Sequence, residues 1–220
     1  MAQASQLSAP VHGLSEGARV ILDVAKRLFA QKGFDAVSIN QIAQQAGVSK
    51  ANVFHHFTSK DDLYLAVLKA ACEETVGSLA EAYSTGNVAE DLWTFFSSQL
   101  AAMLKNHASA KLILREIMES KDEREQTLAE HVFAEYFSRL VSMVSEGQTQ
   151  GLLRKEFDPA LLAYLMLGAN VFFFENHKVT AHLAEGGFAR IPDRYSHDVF
   201  QLLLQGALAD SETDFQYTEA

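Results

Sequence analysis

Polar and basic side chains between residues 38 and 60 have the chemistry needed to contact nucleic acid. Lys50 can donate to guanine O6 and N7 or to a phosphate, and Asn52 can pair with adenine or donate to a phosphate. Ser38 and Ser49 precede predicted helices, where a hydroxyl and free backbone N–H groups favour a phosphate. These residue types at this spacing predict a surface that binds bases and phosphates.

Further residues extend this predicted surface. Ala51 can touch a thymine methyl group, and Lys60, at the start of the following helix, is placed for another phosphate. A single serine could equally be only a helix cap, and a single lysine only a solvated side chain. As a set, they predict a DNA-binding surface formed by Ser38, Ser49, Lys50, Ala51, Asn52, Phe54, His55, His56 and Lys60.

Two short helices and a tight turn are predicted to position these side chains. Ser38 and Gln41 form a capping-box pair at the start of the first of them, and Gly47 can adopt the left-handed backbone that closes it. Ser49 then caps the next helix. An amphipathic helix upstream supplies the apolar support. The sequence therefore predicts a helix-turn-helix over residues 38–57.

The rest of the chain has a helical pattern, with no alternating β-type run, hairpin turn or internal repeat. Helices are predicted over residues 60–84, 89–106, 109–120, 122–149, 159–184 and 193–209. The predicted fold class is all-α, with an N-terminal three-helix head and a C-terminal helical bundle. The predicted domains are a flexible N-terminal arm (1–15), a DNA-binding domain (16–62), a C-terminal helical domain (63–210) and a C-terminal tail (211–220).

Charge is distributed unevenly along the chain, whose net charge is −10. Residues 16–64 carry six basic and five acidic side chains, a net charge of +1, whereas residues 65–220 carry 12 basic and 23 acidic side chains, a net charge of −11. Because DNA repels the acidic part, only the near-neutral head can approach phosphates favourably. An ordinary acidic protein with a chance asymmetry would show the same numbers.

Composition favours a cytoplasmic protein without a membrane span. Cys72 is the only cysteine, so neither a disulfide framework nor a thiolate zinc cluster is expected. Residues 1–15 lack the basic and apolar regions of a signal peptide. The longest charge-free stretch, residues 159–174, is 16 residues long, short of the roughly 18–20 residues that a membrane helix needs.

The helix-turn-helix segment also carries a long pattern of residue types. The pattern is Ser38-x-x-x-Ile42-Ala43-x-x-Ala46-Gly47-Val48-Ser49-x-x-x-x-Phe54-x-His56-Phe57-x-x-Lys60-x-x-Leu63. It resembles the signature of the TetR family of bacterial regulators, and with the preceding helix it covers about the first third of the chain. That family usually has a tyrosine at the position of Phe54, and the tyrosine hydroxyl meets a phosphate. Phe54 lacks this hydroxyl, so His55 or His56 is expected to replace the contact.

The resemblance implies that residues 63–210 bind a small molecule and dimerise, through the last two helices. Apolar stripes suited to a dimer interface are Leu161, Leu165, Gly168 and Phe172 on one helix, and Val199, Leu202, Leu203, Gly206 and Ala207 on the other. The effector is expected to be hydrophobic or aromatic. Its predicted binding residues are Trp93, Phe96, Met103, Glu116, His131, Phe137, Tyr164, Asn170, Phe173 and His177. Both sets are equally compatible with plain core packing.

Two groups of acidic and histidine side chains do not fit a metal site. They are Glu175, His177 and His182, and Glu116, Glu119, His131 and Glu135. The spacing in the first group does not place the side chains on one helix face, and the second lacks the Glu-x-x-His pair of di-iron bundles. The sequence also has no Gly-rich phosphate loop, nucleophile elbow or cysteine–histidine pair. We therefore expect no catalytic residue, no metal, no cofactor and no enzyme activity.

Together these features predict a ligand-responsive transcription regulator. The expected partners are a double-stranded DNA operator, a second copy of the chain and a small-molecule effector. The hypothesis is repression, relieved when the effector releases a homodimer from a palindromic operator. Two alternatives stay open: a transcriptional activator, and a helical small-molecule-binding protein or enzyme that has lost DNA binding.

Overall fold

All regular secondary structure in the part of the chain described by the computed structural model is helical, which confirms the all-α prediction. The structure describes residues 14–76, 85–119 and 122–205, with only the backbone of 122 and 123. The helices are α1 (Glu16–Lys32), α2 (Ile39–Ala46), α3 (Lys50–His56), α4 (Lys60–Val76), α5 (Val88–Lys105), α6 (His107–Glu119), α7 (Asp122–Leu128), α8 (Ala134–Thr149), α9 (Pro159–Thr180) and α10 (Pro192–Gln205). A π-helical turn (Ala129–Phe133) joins α7 to α8, and a 3₁₀ turn (Gly186–Arg190) precedes α10.

The described residues form two compact units. The first unit comprises those within 1–82 and 102–137, and the second unit those within 83–101 and 138–220. The predicted boundary between residues 62 and 63 stays a prediction. Most of the predicted N-terminal arm and all of the predicted tail lie outside the described residues, as do Gly206 and Ala207.

The three-helix head, α1 to α3, lies in the first unit and is built on the buried face of α1. Ile21, Ala25 and Phe29 on that face are fully buried, as are Ile42 of α2 and Val53 of α3. Burying each large apolar side chain contributes about 1.5–3 kcal/mol. This shared core fixes the angle between α2 and α3, and hence the direction in which α3 presents its outer face.

The second unit packs α5, α9 and α10 around aromatic side chains. The rings of Phe173 and Tyr195 stack with centroids 3.9 Å apart, and the Tyr195 hydroxyl donates to the Ala169 carbonyl over 2.6 Å. The rings of Phe96 and Phe200 lie 5.9 Å apart. Aromatic pairs at such separations stabilise a core beyond their buried area.

Two helix limits differ from those predicted, and a third lies outside the described residues. The predicted helix 60–84 is described as α4 to Val76, and residues 77–84 lie outside the described residues. The predicted single helix 122–149 is interrupted by the π-helical turn. The predicted helix 159–184 ends at Thr180, and just beyond that end the Arg190 side chain donates to the Ala181 carbonyl.

No helix in the described ranges is long and apolar enough to cross a membrane.

The Cys72 thiol is expected to be unreactive in the folded protein. Its side chain is buried on α4, and burial, followed by the charge of Glu73, raises the pKa of the Cys72 thiol to about 12. Because the thiolate is the nucleophile, a folded sample at about pH 8 should resist a thiol reagent. The measurement is labelling by an aromatic disulfide, with the protein in denaturant as the control. Rapid labelling of the folded protein would contradict the prediction.

Candidate nucleic-acid interface

The helix-turn-helix is closed by the predicted caps. Ser38 Oγ accepts from the Gln41 N–H over 3.2 Å, and Ser49 Oγ accepts from the Asn52 N–H over 3.1 Å. Gly47 adopts the left-handed backbone (φ 68°, ψ 27°) that ends α2 and turns the chain towards α3. These three local predictions are confirmed. With their hydroxyls occupied as caps, the two serines can still present backbone N–H groups to a phosphate.

One face of α3 is buried and the opposite face is open. Val53 is fully buried, and Phe57, immediately after α3, is 4% exposed. The open side chains on or next to α3 are those of Ser49, Lys50, Ala51, Asn52, Phe54 and His55. An open face that is polar and basic, on the second helix of this motif, has the geometry for the major groove. The contacts of these residues with DNA stay predictions.

Phe54 stands where the family pattern usually has a tyrosine, and its ring, which has no hydroxyl, is half-exposed. The ring is 42% exposed, and the Lys50 ammonium lies 5.7 Å from its centroid, one helical turn away. A cation near an aromatic face is weakly held there. The Phe54 ring therefore lies beside Lys50, a predicted DNA-binding residue, and can itself offer only apolar contact.

The two histidines of α3 occupy different environments. His55 is exposed, whereas His56 is half-buried and faces the start of α1, where a Cβ added at Gly17 would lie 3.3 Å from His56 Nε2. Of the two, His55 is therefore better placed for the phosphate contact that Phe54 cannot make.

Lys60, at the start of α4, contacts the ring of Phe34, which is not among the predicted DNA-binding residues. Its ammonium lies 4.1 Å from the centroid of Phe34, and the Arg124 guanidinium carbon lies 4.6 Å from the same centroid. Ninety residues separate Phe34 from Arg124 in the chain, so no local pattern could have indicated the pair.

Glu116, a predicted effector residue, is engaged within the first unit. Its side chain is buried; Oε2 accepts from the Tyr64 hydroxyl over 2.7 Å, and Oε1 lies 3.5 Å from Arg124 Nη1. Burial, followed by this hydrogen bond, raises the pKa of Tyr64 above its ordinary value. The carboxylate is therefore accounted for without an effector.

Removing the Tyr64 hydroxyl should lower the free energy of unfolding. Tyr64→Phe leaves a buried carboxylate with one donor fewer, and a hydrogen bond to a charged group contributes about 1.5–3 kcal/mol. The measurement is urea unfolding. Tyr136→Phe is the control, because no hydrogen bond of the Tyr136 hydroxyl is found among the described residues, and it should change the value by less than about 0.5 kcal/mol. Equal effects of the two changes would contradict the prediction.

The other predicted effector residues are divided between the two units. Four of them lie in or beside the aromatic core of the second unit: Trp93, Phe96, Asn170 and Phe173. His177 stacks on Phe173 at 5.2 Å, whereas Tyr164 is 67% exposed. Met103, His131 and Phe137 fall with Glu116 in the first unit, where Met103 is buried and His131 exposed.

Asn170 is the most distinctive polar residue of the second unit. It is fully buried, and its amide nitrogen donates to the Phe96 carbonyl and to Gln99 Oε1, each over 2.8 Å. Its Oδ1 is buried without a hydrogen-bond partner. A buried acceptor that has no hydrogen bond costs about 1–3 kcal/mol of stability. Asn170 is therefore the described core position best able to accept a hydrogen bond from a bound molecule.

Among the described residues, no three histidine, cysteine, aspartate or glutamate side chains lie close enough to hold a metal ion. The candidate site is thus defined by α3, its caps and the start of α4.

The fold and the open face of α3 define a DNA-binding regulator of the helix-turn-helix class. Residues 21–67 match the family model described as bacterial regulatory proteins, tetR family. This match confirms the resemblance of the helix-turn-helix segment to the TetR family that the sequence pattern predicted.

Curated relatives of the chain are transcription or metabolism regulators, and a solved structure shares its fold. The HTH-type transcriptional repressor KstR2 of Rhodococcus jostii (strain RHA1) is 22% identical over 142 residues, which cover 64% of this chain and 70% of the relative. The fatty acid metabolism regulator protein of Bacillus subtilis (strain 168) is 24% identical over 149 residues, 67% of this chain and 76% of the relative. The structure of FadR from Bacillus subtilis in complex with stearoyl-CoA has a TM-score of 0.67 and 20% identity, and the match covers 86% of this chain and 99% of that chain. The last similarity establishes the fold.

Proposed function

We propose that this transcription regulator is a repressor that binds a palindromic operator as a homodimer and is released by a hydrophobic effector. The observation that carries the proposal is the open face of α3, which presents Lys50, Ala51 and Asn52 beside a capped turn. Two such helices, about one helical turn of DNA or 34–36 Å apart, enter successive major grooves. Repression is favoured over activation by relatives such as the repressor KstR2.

An exposed apolar stripe on α9 supports the homodimer. Leu161, Leu165 and Phe172 are 53%, 47% and 71% exposed, and they recur at steps of four and seven residues on one helix face. A Cβ added at Gly168, on the same stripe, would meet nothing within 4 Å. Leu202 of α10 is also 61% exposed. A contiguous apolar stripe of this kind typically marks an interface.

Phe172→Glu is expected to convert the dimer into a monomer. The change places a charge within the proposed apolar interface, where it would be desolvated without a partner. Analytical ultracentrifugation measures the result. Met118→Glu is the matched control, since Met118 is 83% exposed but lies on α6. A wild-type monomer, or a Phe172→Glu dimer as tight as wild type, would contradict the prediction.

We propose a long-chain acyl compound as the effector class. The support is the aromatic, apolar core of the second unit together with the similarity to the Bacillus subtilis fatty acid metabolism regulator. A site of this kind is lined by apolar groups with few polar ones. Effector binding and operator binding then oppose each other through linkage. An aromatic effector is the alternative.

Two further parts of the proposal rest on the class of protein. The relatives are regulators, which supports a protein without enzyme activity that works in the cytoplasm. An activator stays the second candidate, because the sign of regulation depends on where the operator lies relative to the promoter.

The test is a selection of binding sites from random DNA, followed by mobility shifts with the enriched sequence. The proposal expects a palindrome bound by a dimer, and release of that DNA by stearoyl-CoA but not by free coenzyme A. No enriched sequence would refute the DNA-binding function and favour a helical small-molecule-binding protein. Enrichment without release by stearoyl-CoA would refute only the acyl effector.

A further inference from the structure

We infer that Arg124, on α7, is a positioning residue for the phosphate contact of Lys60, and that it acts through the ring of Phe34. The inference rests on the proposed DNA binding. It adds to the interface a residue that lies outside the helix-turn-helix and outside the segment that carries the family pattern.

The ring of Phe34 is held firmly between α1 and α4. Its centroid lies 4.7 Å from that of Tyr64 and 5.9 Å from that of Phe29. Phe29 is fully buried and Tyr64 is 5% exposed. The ring is therefore a fixed support against which the Lys60 ammonium lies at 4.1 Å.

Arg124 contacts the same ring and is itself held by two carboxylates. Its guanidinium carbon lies 4.6 Å from the Phe34 centroid. Nη1 is 3.5 Å from Glu116 Oε1, and Nη2 is 3.6 Å from Asp61 Oδ1 on the first turn of α4. Because Glu116 is buried and also accepts from Tyr64, the guanidinium has a rigid anchor.

This arrangement prepares Lys60 for an anion. A lysine side chain loses conformational freedom when it binds a phosphate, and a cation–π contact removes part of that freedom beforehand. Arg124 also compensates the charges of Glu116 and Asp61, which would otherwise lower the positive potential that a phosphate meets near Lys60. Arg124 thus contributes to DNA binding without a contact of its own.

A double-mutant cycle on the selected operator tests the inference. Arg124→Met is made together with Glu116→Gln, so that no buried carboxylate is left without its cation, and Glu116→Gln alone is the reference. We expect the added Arg124→Met change to weaken operator binding about tenfold in a dimer. In a Lys60→Met background, the same change should have less than about a twofold effect.

The salt dependence provides the second readout. Lys60→Met should make the slope of log K against log salt shallower by about 0.9 for each half-site. Arg124→Met, in the Glu116→Gln background, should make the slope shallower as well. When Lys60→Met is already present, adding Arg124→Met should not change the slope further.

Three outcomes would overturn the inference. An undiminished effect in the Lys60→Met background, with an additional change of slope, would show that Arg124 contacts DNA itself. If the loss of operator affinity disappears once the affinity is calculated from the concentration of folded protein alone, the role of Arg124 is purely structural. Wild-type affinity in the Arg124 variant would show no role at all. Failure of the wild-type chain to bind any DNA would instead refute the proposed function, and is seen before the cycle begins.

Discussion

Lys50→Ala should weaken operator binding by about 1–3 kcal/mol for each half-site, and so by at least about thirtyfold for a dimer on a palindrome. Lys50 is the first residue of α3, exposed and next to the capped turn, so its ammonium can reach base edges or a phosphate. The measurement is a mobility shift with the selected operator at fixed salt. Lys32→Ala is the control, since it removes the same charge from the last turn of α1.

The two possible roles of Lys50 give different results. A base contact to guanine would be seen as relaxed preference at one position of each half-site, with little change on unrelated DNA. A phosphate contact would weaken binding to all sequences and make the salt dependence shallower. If Lys50→Ala and Asn52→Ala both bind as tightly as the parent, α3 does not present the recognition face.

Gly186→Ala is expected to lower the free energy of unfolding by about 3 kcal/mol. Gly186 begins the 3₁₀ turn after α9, and a Cβ at this position would lie 1.7 Å from the Thr180 carbonyl oxygen. A backbone atom cannot move aside as a side-chain end can, so the turn must open. Urea unfolding measures the loss.

The neighbouring glycine is the control. A Cβ added at Gly187 would meet nothing within 4 Å, so Gly187→Ala should leave stability unchanged or raise it by up to about 1 kcal/mol. Similar losses at the two positions would mean that the turn tolerates no side chain for some reason other than the approach to Thr180.

The helix-turn-helix could be predicted because its determinants are local. Ser38 and Ser49 each accept a hydrogen bond from the backbone N–H three residues later in the chain. Gly47 ends α2 through its own left-handed backbone conformation. Such signals lie within a few residues of the structure they determine. The support for Lys60 could not be predicted in this way, because Phe34 and Arg124 meet only through tertiary packing.

The interior of the C-terminal half shows where pattern alone is insufficient. Apolar periodicity predicted α9, yet the helix ends at Thr180, four residues before its predicted end, and the Gly186 backbone lies close to the Thr180 carbonyl there. Aromatic content likewise predicted a set of effector residues that the structure divides between the two units, and their role stays a prediction. Glu116 was predicted to bind the effector because it is a polar residue in an apolar segment, but its carboxylate accepts a hydrogen bond from the Tyr64 hydroxyl.

The chain carries its own optical reporter. Trp93 is the only tryptophan, and its half-buried indole lies 5.4 Å from the ring of Phe200 in the second unit. Selective excitation of indole therefore observes that unit alone, without any label. A shift of the emission spectrum when operator DNA is added would show, in real time, that DNA binding at α3 changes the environment of Trp93 in the aromatic core.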